Sequence, residues 1–265
     1  IGRKAFSGTS MSYLKIPSHL TIIDDQAFCL CKELEKIEIP DNSELKTIGS
    51  ETFGDLIESI YIPSNIVELK KEWCLGSKNL IKIRISPKNP QYIYFDENYI
   101  LGKSNLNEMK YDCLIFARRN IEIAIIPSFI KQIASCAFSY CKKLNEVEIS
   151  KDSGLQKIDD HAFYYSSINS FTFPPLLTEI GPNAFDHCKK LKKIDIPNDS
   201  KLEKIGNYAF NETLIKSIFF PSQLKYLNVL NFTKKSQVLI IEVDENIVIS
   251  KISKFTSNLA KNGII

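Results

Sequence analysis

The sequence predicts a repeat solenoid of α/β type that is mostly β, a curved stack of about ten coils of 23–24 residues with parallel strands. The first observation is a period, because residues that close short apolar segments recur at intervals of 23 or 24, with a single interval of 40. The second is a shared apolar pattern within each unit, and the third is strict alternation of apolar and polar residues before each closing residue. The closing residues are Pro17, Pro40, Pro63, Pro87, Pro127, Ser150, Pro174, Pro197, Pro221 and Asp244.

Each unit approximates the pattern L-x-x-I-[GD]-x-x-A-F-x-x-C-x-x-L-x-x-I-x-I-P. Full copies cover residues 20–40, 130–150 and 177–197, and weaker copies surround Phe6, Phe53, Cys74, Phe163, Phe210 and Phe232. One such coil cannot bury its own apolar face, but stacked coils share a continuous core. Gly or Asp after the second apolar residue suits a tight turn, and Ala-Phe combines a small residue for close approach with a large one for the interior.

The I-x-I segment has the period-2 alternation of a half-buried strand, and the following Pro ends the strand because it lacks a backbone donor. This alternation predicts one parallel strand per coil, with neighbouring strands about 4.8 Å apart. The residues predicted to point inward are Ile37, Ile60, Ile83, Val147, Phe171, Ile194, Ile218 and Ile241.

The residue between the two apolar positions of each strand should point outward, and in stacked coils these residues form a row. Solenoids commonly bind partners on such extended surfaces. The candidate partner-binding residues in this row are Glu38, Tyr61, Arg84, Glu148, Thr172, Asp195 and Phe219, between Lys15 and Glu242. A second row lies two residues earlier in each coil. Tyr61, Arg84 and Phe219 are of types enriched at interface hot spots; the alternative is that Tyr61 and Phe219 are ordinary strand-surface residues.

The sequence contains no pattern of catalytic, metal-binding or cofactor-binding residues. Cys31, Cys141 and Cys188 share one repeat position, where Ser77 and Ser166 stand in other copies, so we interpret them as packed thiols. His187-Cys188 is the one suggestive pair for zinc, and turn residues are the simpler reading. There is no G-x-S-x-G motif, Gly-rich phosphate loop or dinucleotide fingerprint. The prediction is therefore a non-enzyme without cofactor or metal.

Charge and hydropathy limit the partners further. The net charge of +3 arises from 34 basic and 31 acidic residues, which argues against a nucleic-acid binder. No apolar run is long enough to insert into a membrane. The run Lys189-Lys190 and Lys192-Lys193 is either a solvated face or a site for an acidic polysaccharide or cell surface. Sequons at Asn198, Asn211 and Asn231 permit a secretory route without indicating that it is used.

The string A-F-x-x-C-x-x-L-x-x-I-x-I-P resembles the BspA-type leucine-rich repeats found in surface antigens and adhesins. The resemblance implies a leucine-rich-repeat solenoid over residues 1–245, and residues 246–265 are expected to form a C-terminal cap that includes a short helix. The 40-residue interval is also similar to the family: Asn89-Pro90-Gln91-Tyr92, residues 96–101 and residues 113–116 resemble its insertion. We expect a hairpin-like insertion within residues 88–127, with two extended pieces joined by a polar turn around 103–107.

The resemblance implies a surface or extracellular module that binds a protein or a cell-surface or matrix macromolecule, without catalysis. An intracellular leucine-rich-repeat scaffold is the first alternative, because seven cysteines without an evident pairing suit a reducing compartment. An enzyme built on a repeat platform is the second alternative, and it lacks a catalytic cluster. The sequence carries no signal for an oligomeric state.

Overall fold

The fold is a stack of coils built from short strands. The computed structural model describes residues 1–105, 109–227 and 240–243, and this part of the chain contains 21 strands and no helix. The chain forms two compact units, Ile1–Arg119 and Asn120–Ile265.

Unit 1 has two series of parallel strands followed by an antiparallel meander. The strands are β1 (Tyr13–Lys15), β2 (Ile22–Ile23), β3 (Lys36–Glu38), β4 (Thr47–Ile48), β5 (Ser59–Ile62), β6 (Glu68–Leu69), β7 (Lys82–Ile85), β8 (Tyr92–Phe95), β9 (Tyr99–Gly102) and β10 (Cys113–Ala117). The longer strands pair as β1–β3 and β5–β7, and the two-residue strands pair in the order β2–β4–β6. Strand β9 pairs antiparallel with both β8 and β10.

Unit 2 repeats the two parallel series. Its strands are β11 (Ile123–Ile126), β12 (Gln132–Ile133), β13 (Glu146–Ile149), β14 (Lys157–Ile158), β15 (Ser170–Thr172), β16 (Glu179–Ile180), β17 (Lys193–Asp195), β18 (Lys204–Ile205), β19 (Ser217–Phe220), β20 (Tyr226–Leu227) and β21 (Ile240–Val243). The longer strands pair as β11–β13, β15–β17 and β19–β21. The short strands β12, β14, β16, β18 and β20 form one parallel ladder in that order.

The predicted parallel-strand repeat is confirmed, with three differences. Eight coils in the described residues, not ten, contain both a long and a short strand. The short strand of each coil was not predicted, because two residues are too few to show a period. The helical contribution implied by an α/β class is absent from the described residues, and the expected cap at 246–265 lies outside them.

The insertion after β7 contains one more strand than the sequence analysis predicted. Tyr92–Phe95 is itself a strand and pairs with Tyr99–Gly102 across a tight turn at residues 96–98. Asp96 takes the positive φ of this turn, at 47°, so Asn98 does not have to supply the conformation of a glycine. Part of the expected polar turn, residues 106 and 107, lies outside the described residues.

The core consists of side chains that repeat from coil to coil. Of the predicted inward residues, six are buried, Val147 is half-buried beside the smaller Ala124, and the side chain of Ile241 lies outside the description. The Phe of each Ala-Phe pair stacks on the next. In unit 2 the ring centroids of Phe138 and Phe163 are 4.8 Å apart, and those of Phe163 and Phe185 are 5.0 Å apart.

The Ala-Phe segment is a third, non-strand ladder between coils. The backbone N–H of Phe163 donates to the carbonyl of Ala184 at 2.7 Å, and Phe185 donates to Ala209 at 2.8 Å. Residues flanking the Ala-Phe pair adopt left-handed φ values although they are not glycine, for example His161 at 57° and Asn183 at 54°. The resulting turns satisfy backbone groups between coils, and this pairing holds the neighbouring strands in register.

Candidate partner-binding faces

The long strands of unit 1 place the predicted outward residues in register. Tyr61 lies directly opposite Arg84, and the guanidinium carbon of Arg84 is 5.8 Å from the Tyr61 ring centroid. Such a cation–π pair holds a flexible arginine over a rigid ring. The unit 1 strand face comprises the outward side chains of its long strands: Tyr13, Lys15, Lys36, Glu38, Ser59, Tyr61, Lys82 and Arg84.

Glu38 is tied to its neighbours on this face. Its carboxylate accepts a hydrogen bond from the Tyr13 hydroxyl at 2.7 Å and lies 3.3 Å from the Lys15 ammonium. The hydrogen bond from Tyr13 and then that from Lys15 lower the pKa of Glu38, and the same contact with Glu38 raises the pKa of Tyr13. Glu38 is therefore ionised and positioned at neutral pH, although exposed ion pairs of this kind add little to stability.

The unit 2 strand face comprises Ile123, Ile125, Glu146, Glu148, Ser170, Thr172, Lys193, Asp195, Ser217 and Phe219. Four residues of this face are predicted site residues. Thr172 and Asp195 lie opposite each other on neighbouring strands, and Glu148 lies opposite Ile125. The fourth is Phe219, whose backbone pairs with Glu242. Ile123 and Ile125 are 51% and 61% exposed. This face therefore begins with a solvent-accessible apolar pair bordered by two glutamates.

The two strand faces differ in charge. The unit 1 strand face carries four basic side chains and one acidic side chain, and the unit 2 strand face carries three acidic side chains and one basic. Within each unit the structure brings the predicted residues into adjacent rows. The grouping of Glu38, Tyr61 and Arg84 with the four unit 2 residues into one site remains a prediction.

The acidic turn residues of unit 1 form an ion cluster that supports structure. The Lys70 ammonium lies 3.2 Å from Oδ1 of Asp24 and 3.0 Å from Oδ1 of Asp25. Hydrogen bonds from the backbone N–H of Asp25 and Ser50 lower the pKa values of Asp24 and Asp25 respectively, with Lys70 as the next cause in each case. Both carboxylates are thus engaged with chain neighbours, which agrees with the turn-forming role expected from the repeat.

None of the seven cysteines, all of which lie in the described residues, forms a disulfide bond, and those at the shared repeat position are buried, as predicted. The thiol at this position also forms a hydrogen bond between coils. The Cys188 thiol donates to the carbonyl of Phe163, one coil earlier, at 3.0 Å. Cys31 makes the same contact with Phe6, and the Ser77 hydroxyl lies 3.5 Å from the Phe53 carbonyl. Burial raises the pKa of Cys188 to about 12, so its thiol stays protonated at neutral pH.

Among the described residues, no group of three or more His, Cys, Asp and Glu side chains is arranged to hold a metal ion. His187 contacts Asp186, with Nδ1 and Oδ1 2.7 Å apart, and Asp186 also accepts from the Asn211 amide at 2.8 Å. His187 thus belongs to a hydrogen-bonded turn. No helix in the same part of the chain has the length and apolar character needed to cross a membrane.

One group of side chains was missed by the sequence analysis. Tyr140, Tyr165 and His187 stack in three successive coils, with centroid distances of 5.4 Å and 4.3 Å. All three stand two residues after the Phe of their Ala-Phe pair, so their common repeat position was the available signal. We call these three residues the ring ladder.

The fold and the repeated core define a leucine-rich-repeat solenoid. The family model described as the BspA type leucine rich repeat region, with 6 copies, matches residues 1–115 and 111–239. The chain therefore belongs to the BspA-type leucine-rich repeat family. No curated protein sequence matches the chain.

Solved structures show the same fold. A leucine rich cell surface protein from Faecalibacterium prausnitzii is 22% identical with a TM-score of 0.66, covering 92% of this chain and 62% of its own. A leucine-rich repeat protein from Eubacterium ventriosum is 18% identical with a TM-score of 0.64, covering 90% and 80%. The pneumococcal vaccine antigen PcpA is 18% identical with a TM-score of 0.59, covering 98% and 67%. The chain spans less than two thirds of the first of these proteins, and it resembles bacterial surface antigens in fold.

Proposed function

We propose that this chain is a non-catalytic recognition module of a surface antigen-like protein, which binds a protein or matrix macromolecule through its strand faces. The observation that carries the proposal is the ordered row of outward side chains on each face. In unit 1 we assign the main contact to Tyr61 and Arg84. A half-buried ring with a stacked guanidinium is pre-positioned, so it loses little conformational freedom on binding.

The charge difference between the two strand faces supports binding of a partner whose surface is complementary in charge. The unit 1 strand face favours acidic groups, whereas the exposed Ile123 and Ile125 with Glu146 and Glu148 favour a basic and apolar surface. Phe219, half-buried on β19, adds an aromatic contact beside Asp195 and Thr172. We expect electrostatics to set the orientation and association rate, and Tyr61 and Phe219 to contribute most of the contact energy.

A cell-surface location is supported by the family and by structural neighbours described as a cell surface protein and a vaccine antigen. The intracellular scaffold is the second candidate, and it is favoured by the seven cysteines, none of which is in a disulfide bond. Antibody labelling of intact cells that express the full-length protein separates the two. Labelling without permeabilisation supports the surface proposal, and labelling only after permeabilisation supports the scaffold.

The binding proposal is tested with Tyr61→Ala combined with Arg84→Glu. Immobilised basement-membrane extract is the probe, and retention of the purified chain is measured by surface plasmon resonance. We expect the double variant to bind at least tenfold more weakly, because it removes the ring and reverses the charge stacked on it. Thermal unfolding should change little, since Tyr61 is half-buried and Arg84 is exposed.

The matched control is Tyr111→Ala with Arg118→Glu, which makes the same two changes in the insertion of unit 1, away from its strand face. Tyr111 is half-buried and Arg118 is exposed, like the residues tested. Retention equal to that of the unaltered chain is expected for the control. If retention fell equally in both variants, or did not fall in the Tyr61 and Arg84 variant, binding would lie elsewhere.

A further inference from the structure

A second surface of unit 2 concentrates positive charge at the edge of the coils. It is formed where each chain segment runs from the Ala-Phe turn to the start of a long strand. The lysine edge comprises Lys142, Lys143, Lys189, Lys190, Lys192, Lys193 and Lys216, all exposed. It shares Lys193 with the unit 2 strand face, and its other six lysines lie outside that face.

Backbone hydrogen bonds place the contributing segments side by side. The backbone N–H of Asn169 donates to the carbonyl of Asn145 at 3.3 Å, and that of Leu214 donates to the carbonyl of Leu191 at 2.9 Å. Lys192 donates to the carbonyl of Asn169 at 2.9 Å. The four segments 140–146, 165–170, 187–193 and 212–217 therefore run in successive coils, and their side chains form one continuous surface.

The positive charge of these segments is not balanced locally. They hold the seven lysines of the edge against two acidic residues, Glu146 and Glu212, whereas the chain as a whole has a net charge of only +3. The excess on the edge thus exceeds the net charge of the entire chain. In the described residues one of the seven lysines has an acidic partner, Lys193, which lies 3.5 Å from Asp195.

The ring ladder holds one end of the edge in place. The Lys142 ammonium lies 4.7 Å from the ring centroid of Tyr165 and 5.5 Å from that of Tyr140. The partial burial of its ammonium group chiefly, and repulsion from Lys189, lower the pKa of Lys142. An anion that binds beside Lys142 would be attracted by both ammonium groups, and it would reduce the repulsion between Lys142 and Lys189.

Two features of the edge favour a polyhydroxylated anionic chain over a bilayer or a duplex. The exposed residues Asn145, Asn169 and Lys192 follow one another along one backbone ladder, so amide donors and acceptors for hydroxyl groups lie beside the ammonium groups. None of the exposed large apolar side chains belongs to the four segments, so the edge offers nothing to insert into lipid. Segment 187–193 alone holds four of the seven lysines, and this density requires more than one anionic group within one coil spacing, which favours sulfate-bearing chains.

We propose that the lysine edge binds a linear sulfated polysaccharide that runs along the coil stack. The ammonium groups of Lys189, Lys190 and Lys192 contact its sulfates through charge-assisted hydrogen bonds. The amides of Asn145 and Asn169 contact its hydroxyls. This site is distinct from the Tyr61 and Arg84 pair and does not depend on the function proposed for the strand faces.

The test uses the whole chain with heparin as the probe, and the dissociation constant is measured by calorimetry. The variant combines Lys190→Glu with Lys192→Glu. We expect heparin binding to weaken at least tenfold in this variant, and to weaken steeply as salt is raised, because screening acts on exposed charges.

The matched control combines Lys151→Glu with Lys201→Glu. Both lysines are exposed in unit 2 and lie outside the four segments, so the net charge changes equally. Less than a twofold change is expected for the control, and equal unfolding temperatures for both variants verify the fold. Equal weakening in the two variants would show that only overall charge matters, and would overturn the proposal.

Two further probes test the ligand class. Vesicles containing phosphatidylserine and a DNA duplex, at matched ionic strength, should bind at least tenfold more weakly than heparin. Equal affinity for the vesicles would identify a membrane-binding surface, and equal affinity for the duplex would identify a general polyanion surface. Either result, or an absence of heparin binding, contradicts the proposal. Loss of heparin binding in the edge variant, with unchanged heparin affinity in the Tyr61 and Arg84 variant, would separate the two sites.

Discussion

At the residue scale, the turn glycines allow neighbouring coils to approach closely. A Cβ on Gly181 would lie 2.6 Å from the backbone nitrogen of Asp160 and 2.7 Å from the carbonyl carbon of Asp159. Gly49 meets the backbone of Asp25 in the same way in unit 1, at 2.4 Å. The glycine is required by the packing of two backbones, so the neighbouring coil cannot relieve the clash by moving a side chain.

We expect Gly181→Ala to lower the free energy of unfolding by about 1–3 kcal/mol, the range for overpacking a close contact. The control is Gly2→Ala, where a Cβ would have no neighbour within 4 Å. Urea unfolding followed by circular dichroism measures both. A loss at Gly181 no larger than that at Gly2 would mean that the coils can separate at little cost.

At the element scale, the stacked phenylalanines link one coil to the next. Phe185 is fully buried and lies 5.0 Å from Phe163, 5.7 Å from Phe210 and 5.0 Å from Phe171, measured between ring centroids. The ladder of backbone bonds from Phe163 to Ala184 and from Phe185 to Ala209 runs beside these rings. The turn segment and the aromatic core therefore form one connected element across neighbouring coils.

Truncating the central ring should weaken several coils at once. We expect Phe185→Ala to cost about 3–5 kcal/mol of unfolding free energy, as is usual for removal of a buried ring. Amide hydrogen exchange should accelerate most in the coils that contain Phe163 and Phe210, because repeats interact with their nearest neighbours. Phe129→Ala, at a ring that is 48% exposed, is the control and should cost less. Equal costs at the two positions would refute the stacked-core description.

At the scale of the whole molecule, buried ionisable groups couple stability to pH. Burial raises the pKa of Cys188 from 9.0 to about 12 and that of Tyr164 from 10.0 to about 12. Burial also raises the pKa of Tyr92 in unit 1. A folded-state pKa above the unfolded value stabilises the fold fully below the unfolded pKa, and this stability is lost as pH rises towards the folded value. The chain should therefore lose stability above about pH 9.

The Cys188 contribution can be isolated by Cys188→Ser, because serine does not titrate and already stands at this repeat position as Ser77 and Ser166. Between pH 8 and pH 10 we expect the thiol to account for a loss of about 1.4 kcal/mol, since the unfolded pKa lies midway. Urea unfolding at the two pH values measures the loss, which should be smaller in the variant. An identical loss in the variant and the unaltered chain would rule out this linkage.

The sequence predicted the repeat period, the parallel long strands and the inward residues. Stacked coils impose the same burial on every copy, so apolar residues recur at fixed intervals along the chain. The family followed from the same string of residues. The short strands, the third strand of the insertion and the half-buried state of Val147 were not predictable, since each depends on contacts with a neighbouring coil or strand and not on a local period.

The sequence by itself determined that this chain is a leucine-rich-repeat solenoid whose strand residues alternate between core and surface, because that alternation is a local property of each coil. Only the tertiary structure decided which surface residues become neighbours. The opposite charges of the two strand faces, the ring ladder and the lysine edge combine residues of successive coils about 22–25 positions apart, which backbone pairing between coils brings together. Residues at that separation have no local relation in the chain, so their combined chemistry exists only in the folded stack.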